Sequence, residues 1–65
     1  MLMYVIRHKY CNHLFLEDLD KDGNPIWTIF ELCKVFSKDV ADFIRSFAPD
    51  RDLMKVCSVD FDINA

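Results

Sequence analysis

Two short apolar repeats in the middle of the chain constrain its fold more than any other feature. Apolar side chains recur at the spacing i, i+3, i+4, i+7, first at Ile29, Leu32, Cys33 and Phe36, and then at Val40, Phe43, Ile44 and Phe47. Residues at this spacing share one face of an α-helix. The pattern therefore predicts two consecutive amphipathic helices that pack their apolar faces into one shared core.

Capping residues set the expected bounds of both helices. Thr28 followed by Glu31 has the capping-box pattern, in which a hydroxyl and a carboxylate bond the free N–H groups of a first turn. Ser37 can cap the second helix, and Asp39 then lies in its first turn, where the helix dipole favours negative charge. Pro49 ends the second helix because the residue before a proline avoids helical angles.

The remaining segments are typical of β-strands. Met1 to Ile6 is apolar on both faces, which suits a central strand or an edge strand buried by another copy. Asn12 to Leu19 and Ile26 to Ile29 predict a second and a third strand, and the Asp-Gly turn at 21–24 joins them into an antiparallel hairpin. Leu53 to Phe61 alternates enough to be the last strand. With no linker or repeat, residues 1–65 form one α+β domain: a small antiparallel sheet of three to four strands with two short helices on one face.

The composition predicts an exposed apolar surface. Hydrophobic residues make up 52% of only 65 residues, and six of them are Phe. A chain this short buries only about 60% of the surface that it exposes when unfolded. We therefore expect a homo-oligomer or a protein partner to cover the excess. The candidate interface residues lie on the predicted strands: Met1, Met3, Tyr4, Val5, Phe15, Met54 and Val56.

Metal and cofactor patterns are incomplete. Residues 18–23 open like a calcium-binding loop, but the twelfth position is Ile29, which has no carboxylate. His8, Cys11 and His13 are zinc-ligand types without the paired Cys-x-x-Cys spacing. A single glycine rules out a Gly-rich phosphate loop, and a chain of this length leaves little room for a catalytic pocket. We expect no metal, no cofactor and no enzymatic activity.

Cysteine content and hydropathy indicate a soluble intracellular protein. The three cysteines are an odd number without a close pair, which favours reduced thiols. No apolar run is long enough to span a membrane or to act as a signal peptide, so no membrane is expected as a partner. The net charge of −3 opposes strong, salt-driven binding to nucleic acid but leaves room for a local basic patch.

Residues 26–52 resemble the Bro-N domain, the N-terminal domain of the baculovirus repeated-open-reading-frame proteins and of phage antirepressor-like proteins. Ile26-Trp27 and the run Glu31-Leu32-Cys33-Lys34 match the family's hairpin strand and helix opening, and residues 43–52 match its later basic segment and acidic turn. Ser37-Lys38 replaces the usual Gly-Tyr, and Phe47 replaces a common histidine. The resemblance implies a viral or phage-type module that binds double-stranded DNA or takes part in a viral regulatory assembly. If the protein is viral, the expected location is the nucleus or the cytoplasm of the host cell. Candidate phosphate contacts are Arg7, Lys9, Lys34, Lys38, Arg45 and Arg51.

A second hypothesis is a protein-interaction or homodimerisation module without nucleic-acid binding, whose partner is another copy or a viral or host protein. The distribution of basic side chains separates the two hypotheses. One basic patch on the helix side favours DNA. Basic side chains scattered among the 11 acidic residues favour protein interaction.

Overall fold

Four strands, each antiparallel to its neighbours, form the sheet of the computed structural model, which describes residues 2–60. They are β1 (Leu2–His8), β2 (Phe15–Leu19), β3 (Pro25–Thr28) and β4 (Met54–Asp60). Their order is β3-β2-β1-β4, so the apolar β1 is a central strand. The antiparallel sheet of the α+β prediction is confirmed. The interface candidate Met1, the predicted strand end at Phe61 and the tail 62–65 lie outside the described residues.

One α-helix, α1 (Lys38–Phe47), lies where the second repeat predicts it. The Ser37 hydroxyl accepts the N–H of Val40 at 3.3 Å, which satisfies one of the free donors of the first turn. The helix ends at Ala48, directly before Pro49, and a 3₁₀ turn at Arg51–Leu53 then leads into β4. The second predicted helix and its cap are therefore confirmed.

The first predicted helix is not formed, and a single 3₁₀ turn at Phe30–Leu32 takes its place. Thr28, the expected cap, belongs to β3 and lies opposite Phe15. Further along, the N–H of Phe36 donates to the Tyr4 carbonyl at 2.7 Å, and the N–H of Tyr4 donates to the Phe36 carbonyl at 3.0 Å. The chain here is extended and bonded to β1, so the helical prediction is wrong for this segment.

The path of β1 and β2 explains why this segment is extended. The two strands face each other at Arg7 and Phe15 and then separate. Beyond that point the Leu16 carbonyl accepts the N–H of Lys34 at 3.2 Å, while Tyr4 bonds Phe36. Buried backbone groups need partners. The segment 34–36 supplies them by filling the gap between the two strands, and a helix could not do so.

The hairpin turn between β2 and β3 satisfies its own polar groups. One carboxylate oxygen of Asp20 accepts the N–H groups of Asp22 and Asn24, each at 2.9 Å. Gly23 has a φ of +84°, a conformation that glycine adopts without strain. The acidic residues that match the start of a calcium-binding loop thus stabilise a tight turn through hydrogen bonds to its backbone.

The core lies between the sheet and α1. Its buried members come from every layer of the fold and are Ile6, Leu16, Phe36, Ala41, Ala48 and Met54. Trp27 packs against this cluster and so takes part in the core. Ala41 is the buried residue of α1, Ala48 is buried directly after the helix ends, and Ile44 packs against the same cluster. The small alanine side chains let the helix approach β1 and β4 closely.

Three large side chains of the predicted apolar helix face are not in this core. Val40, Phe43 and Phe47 are 46%, 64% and 49% exposed. The prediction that they pack inward is therefore wrong, because the alanine side of the helix meets the sheet. An excess of exposed apolar surface, which the composition predicts, is present on α1.

Candidate functional site

The first candidate surface is the apolar ridge, which we define as Val40, Phe43 and Phe47 of α1. The three residues are spaced i, i+3 and i+7, so they follow one side of the helix. The rings of Phe43 and Phe47 lie 4.7 Å apart between centroids, with planes inclined at 41°. Full burial of a side chain of this size stabilises a complex or a core by about 1.5–3 kcal/mol. The ridge therefore offers a binding energy that the folded monomer does not use.

The second candidate surface is the basic groove, an open depression of about 450 Å³ between α1 and the start of β4. It is lined by Lys9, Asp42, Arg45, Met54, Lys55 and Val56. The only acidic lining residue, Asp42, already binds the Lys38 ammonium at 2.8 Å. Among the described residues no carboxylate forms an ion pair with Arg45 or Lys55. The register places the Lys55 side chain on the far face of the sheet, opposite Arg7, so the excess positive charge of the groove comes from Lys9 and Arg45.

Two of the predicted phosphate contacts are neutralised by acidic neighbours. Lys34 lies 3.5 Å from a carboxylate oxygen of Asp18, and Lys38 pairs with Asp42. The N–H of Leu19, and then the Lys34 ammonium, lower the pKa of Asp18. The hydrogen bond to Asp42 raises the pKa of Lys38. Both lysines are exposed, but each already has a counter-charge.

The other candidates separate onto different surfaces. Arg7 lies opposite Lys55 in the β1–β4 ladder, and its Nε is buried without a hydrogen-bond partner within residues 2–60. Arg51 donates to the carbonyl of Ala48 at 3.5 Å. Of the six predicted contacts, only Lys9 and Arg45 meet in one groove. The sequence analysis missed Lys55, although a lysine in an otherwise apolar strand was the signal that could have identified it.

The predicted interface residues divide between the two faces of the sheet. Residues directly opposite one another in an antiparallel ladder share a face. Tyr4, Met54 and Val56 lie on the face that α1 covers, and Met54 is only 2% exposed. Val5 lies on the far face but is 1% exposed because β1 is a central strand. The prediction that Val5 and Met54 contact a partner is therefore wrong, because both side chains are buried. The exposed apolar surface is the ridge, which the sequence had been expected to place in the core.

Met3 and Phe15 keep part of their surface on the far face of the sheet. Phe15 shares that side with Phe30, whose ring meets it edge to face at 5.1 Å. The far face therefore carries a second, smaller apolar area. It is less exposed than the ridge.

The His8 side chain has structural partners. His8 accepts the N–H groups of Tyr10 and Cys11 through its Nδ1, at 3.1 and 3.2 Å, and its ring lies 4.8 Å from that of Trp27. Partial burial raises the pKa of the Cys33 thiol. Within residues 2–60 no three His, Cys, Asp or Glu side chains are grouped closely enough to hold a metal ion. No helix in this part of the chain is long and apolar enough to cross a membrane.

Comparison with known proteins does not assign a family. No family model matches the chain, and neither the curated proteins nor the solved structures contain a match. The Bro-N resemblance therefore rests on the quoted residues alone and stays a prediction.

Proposed function

We propose that the chain is a non-enzymatic protein-interaction module that docks the apolar ridge of α1 into a groove of a partner protein. The observation that supports this proposal is the exposure of Val40, Phe43 and Phe47 on a helix whose other side is anchored by buried alanines. Helices that bind grooves present apolar anchors at this i, i+3, i+7 spacing. Paired aromatic anchors are typical of the residues that dominate binding energy.

The basic groove of this chain is too polar to receive the apolar ridge of a second copy, so we expect the partner to be a different protein. The basic groove is lined by the charged residues Lys9, Asp42 and Arg45, and burying phenyl rings there would desolvate those charges. A second copy of this chain therefore offers the ridge a poor receptor. The expected partner presents an apolar cleft deep enough for two aromatic rings.

Photo-cross-linking in cells that produce the partner tests the proposal. The photoreactive residue p-benzoylphenylalanine replaces Phe43 in one sample and Lys38, an exposed residue on the opposite side of the same helix, in the control. We expect one cross-linked species from position 43, its loss when Phe47→Ser is added, and no such species from position 38. Cross-links that are independent of Phe47, or equal at both positions, would contradict docking through the ridge.

A second candidate function is DNA binding, as the Bro-N resemblance implies. The observation that favours it is the meeting of Lys9 and Arg45 in one groove. If each cation contacts one phosphate, the logarithm of the binding constant should fall with the logarithm of salt with a slope of about −0.9 per contact.

Fluorescence anisotropy with mixed-sequence duplex at low salt tests this candidate. Arg45→Gln and Lys9→Gln should each weaken binding and reduce the salt slope by about one. Lys34→Gln is the matched control because Lys34 is already paired with Asp18. Absence of binding at low salt, or an equal effect of Lys34→Gln, would reject the groove as a DNA site.

A further inference from the structure

One row of side chains crosses the far face of the sheet and joins an aromatic ring to two cations. Residues directly opposite one another in an antiparallel ladder share a face. Arg7 lies opposite Phe15 in the β1–β2 ladder and opposite Lys55 in the β1–β4 ladder. We call these three residues the central row. It lies on the far face because α1 packs on the side of the sheet that carries Ile6 and Met54.

The hydrogen bonds of the two ladders set the spacing within the central row. The N–H of Lys9 donates to the Leu53 carbonyl at 2.7 Å. Every second pair of an antiparallel ladder is bonded in this way, so Arg7 and Lys55 form a hydrogen-bonded pair with Cα atoms about 5.5 Å apart. On the other side of Arg7, Phe15 forms a pair without backbone hydrogen bonds, with Cα atoms about 4.5 Å apart. Arg7 therefore stands directly between the ring and the second cation.

The two cations of the central row lack a counter-charge. Like charges directly opposite each other in a ladder destabilise it. Neither Arg7 nor Lys55 forms an ion pair within residues 2–60, and Asp18 of β2 is already paired with Lys34. Places where a chain breaks such a rule without compensation inside the fold are expected to be functional sites.

The Arg7 guanidinium has a second unmet requirement. Its Nε is buried without a hydrogen-bond partner in the part of the chain that the structure describes. A buried donor without an acceptor costs free energy, and such groups are rare in folded proteins. A turn of the side chain toward an anion would give Nε an acceptor, because a guanidinium offers parallel N–H groups to two oxygens of a phosphate. Both observations on Arg7 indicate an anionic ligand on the far face.

Aromatic rings adjoin the cations on the same face. The ring of Phe15 meets that of Phe30 edge to face at 5.1 Å, and Phe30 is 41% exposed. An exposed ring beside cations suits a nucleotide, whose base stacks on aromatic side chains and whose phosphate binds Arg or Lys. A sheet face without a helix over it suits a polymer that lies across it better than a small ligand, which needs a concave pocket.

We propose that the far face binds a single strand of nucleic acid, with one phosphate between Arg7 and Lys55 and a base against Phe30. Stacking on a side chain requires an unpaired base, so the site selects a single strand over a duplex. The strand lies on the side of the sheet opposite to α1. The proposal is therefore independent of the apolar ridge and of the basic groove.

Fluorescence anisotropy of a labelled oligothymidine at low salt tests the site. The parent chain should bind it in a saturable way. Lys55→Gln should weaken binding and reduce the slope of the logarithm of the binding constant against that of salt by about 0.7, the value of one contact on a single strand. Phe30→Leu should weaken binding by about fivefold or more, because one base loses its stacking partner.

Two matched controls keep the central row and Phe30 intact. Lys34→Gln removes a lysine that is already paired with Asp18, and Phe43→Leu removes an exposed ring on α1. Both variants should bind the oligothymidine like the parent. Arg45→Gln should also bind like the parent, which separates this site from the basic groove. Circular dichroism checks that every variant is folded.

The stability of the free chain gives a readout that a structural role of Lys55 would not produce. Lys55→Gln removes the like charge opposite Arg7, so it should raise the melting temperature by a few degrees at low salt although it weakens binding. High salt should reduce this difference because the charges are exposed to screening. A Lys55→Gln chain that melts at or below the parent's temperature at low salt would show that the charge pair carries no cost and would contradict the proposal.

The remaining outcomes are equally decisive. No binding of oligothymidine at low salt, or equal losses in Lys55→Gln and Lys34→Gln, would overturn the proposal. Binding that is lost in Arg45→Gln but kept in Lys55→Gln would place the strand in the basic groove instead. Co-sedimentation with phosphatidylserine vesicles in a chain that ignores the oligothymidine would assign the far face to a lipid surface. The cross-linking through Phe43 reads out α1, so this proposal and the proposed function fail separately.

Discussion

Residues 29–36 and residues 37–48 carry the same spacing of apolar side chains, but only the second segment forms an α-helix. In the second segment the Ser37 hydroxyl caps the first turn, and the helix runs to Phe47. In the first segment Thr28 is held in β3, and Phe36 exchanges two backbone hydrogen bonds with Tyr4. The difference shows that a repeat forms a helix only where its backbone has no better partner.

Both segments also show that apolar spacing does not determine which side is buried. In the first segment Phe36 is buried while Leu32 is 63% exposed. In α1 the alanines face the sheet and the phenylalanines face outward. A close approach to β1 and β4 requires small side chains, so the bulky residues are left for a partner.

The largest expected effect separates the two apolar positions of the first segment. Phe36→Ala should lower the free energy of unfolding by about 3–5 kcal/mol, because it empties a buried site. Leu32→Ala should change it by no more than about 0.5 kcal/mol, as at other exposed positions. Urea unfolding followed by Trp27 fluorescence measures both. Because a loss of this size can unfold a small domain, Phe36→Leu provides a variant that stays folded and loses less unfolding free energy. Equal losses of unfolding free energy at positions 36 and 32 would support the helical prediction for this segment.

A smaller effect tests the close approach of α1 to the sheet. Ala41→Leu should cost about 1–3 kcal/mol because the added atoms have no space under the helix. Val40→Leu, one residue away on the ridge, should be close to neutral. The comparison fails if the two substitutions have the same effect in thermal unfolding followed by circular dichroism.

Substitution of the predicted capping residue should destabilise the second segment, at Ser37, but not the first segment, at Thr28. Ser37→Ala should cost about 0.5–2 kcal/mol and reduce the helical signal, because the Val40 N–H loses its acceptor. Thr28→Ala should leave the helical signal unchanged, since no capping bond of its side chain is present at the 3₁₀ turn. Loss of helical signal in the Thr28 variant would show that a capping box operates there.

The smallest effect concerns the exposed ion pair of the first segment. The folded-state pKa of Asp18 is lowered from 3.8, so its contribution to stability is present above about pH 3.8 and is lost as the pH falls through the lower value. Asp18→Asn should therefore make acid unfolding slightly less steep below pH 3.8. The control is Asp22→Asn, because the Asp22 carboxylate forms no ion pair with a described residue. Equal changes in both variants would argue against a specific role of Lys34 and the Leu19 N–H.

Local signals predicted the strands, the hairpin turn and α1, because each depends on nearby residues such as Gly23 or Ser37. They could not predict that β1 and β2 separate and draw in residues 34–36, since that depends on contacts between distant parts of the chain. The candidate site was predicted only in part. Composition indicated an exposed apolar surface, but its position on Phe43 and Phe47 depends on which side of α1 meets the sheet. Lys9 and Arg45 were identified, but Lys55 was not.

The unfolding free energy of the double variant Phe43→Ser/Phe47→Ser tests the central claim most directly, because serine has nearly the same helix propensity as phenylalanine. If the ridge faces outward, the variant should lose no more than about 2 kcal/mol, because Phe43 and Phe47 are already 64% and 49% exposed and their ring pair adds only about 1 kcal/mol. The measurement is made under reducing conditions at the same protein concentration as the parent. A loss of about 3 kcal/mol or more would show that these rings belong to the core and would contradict the account.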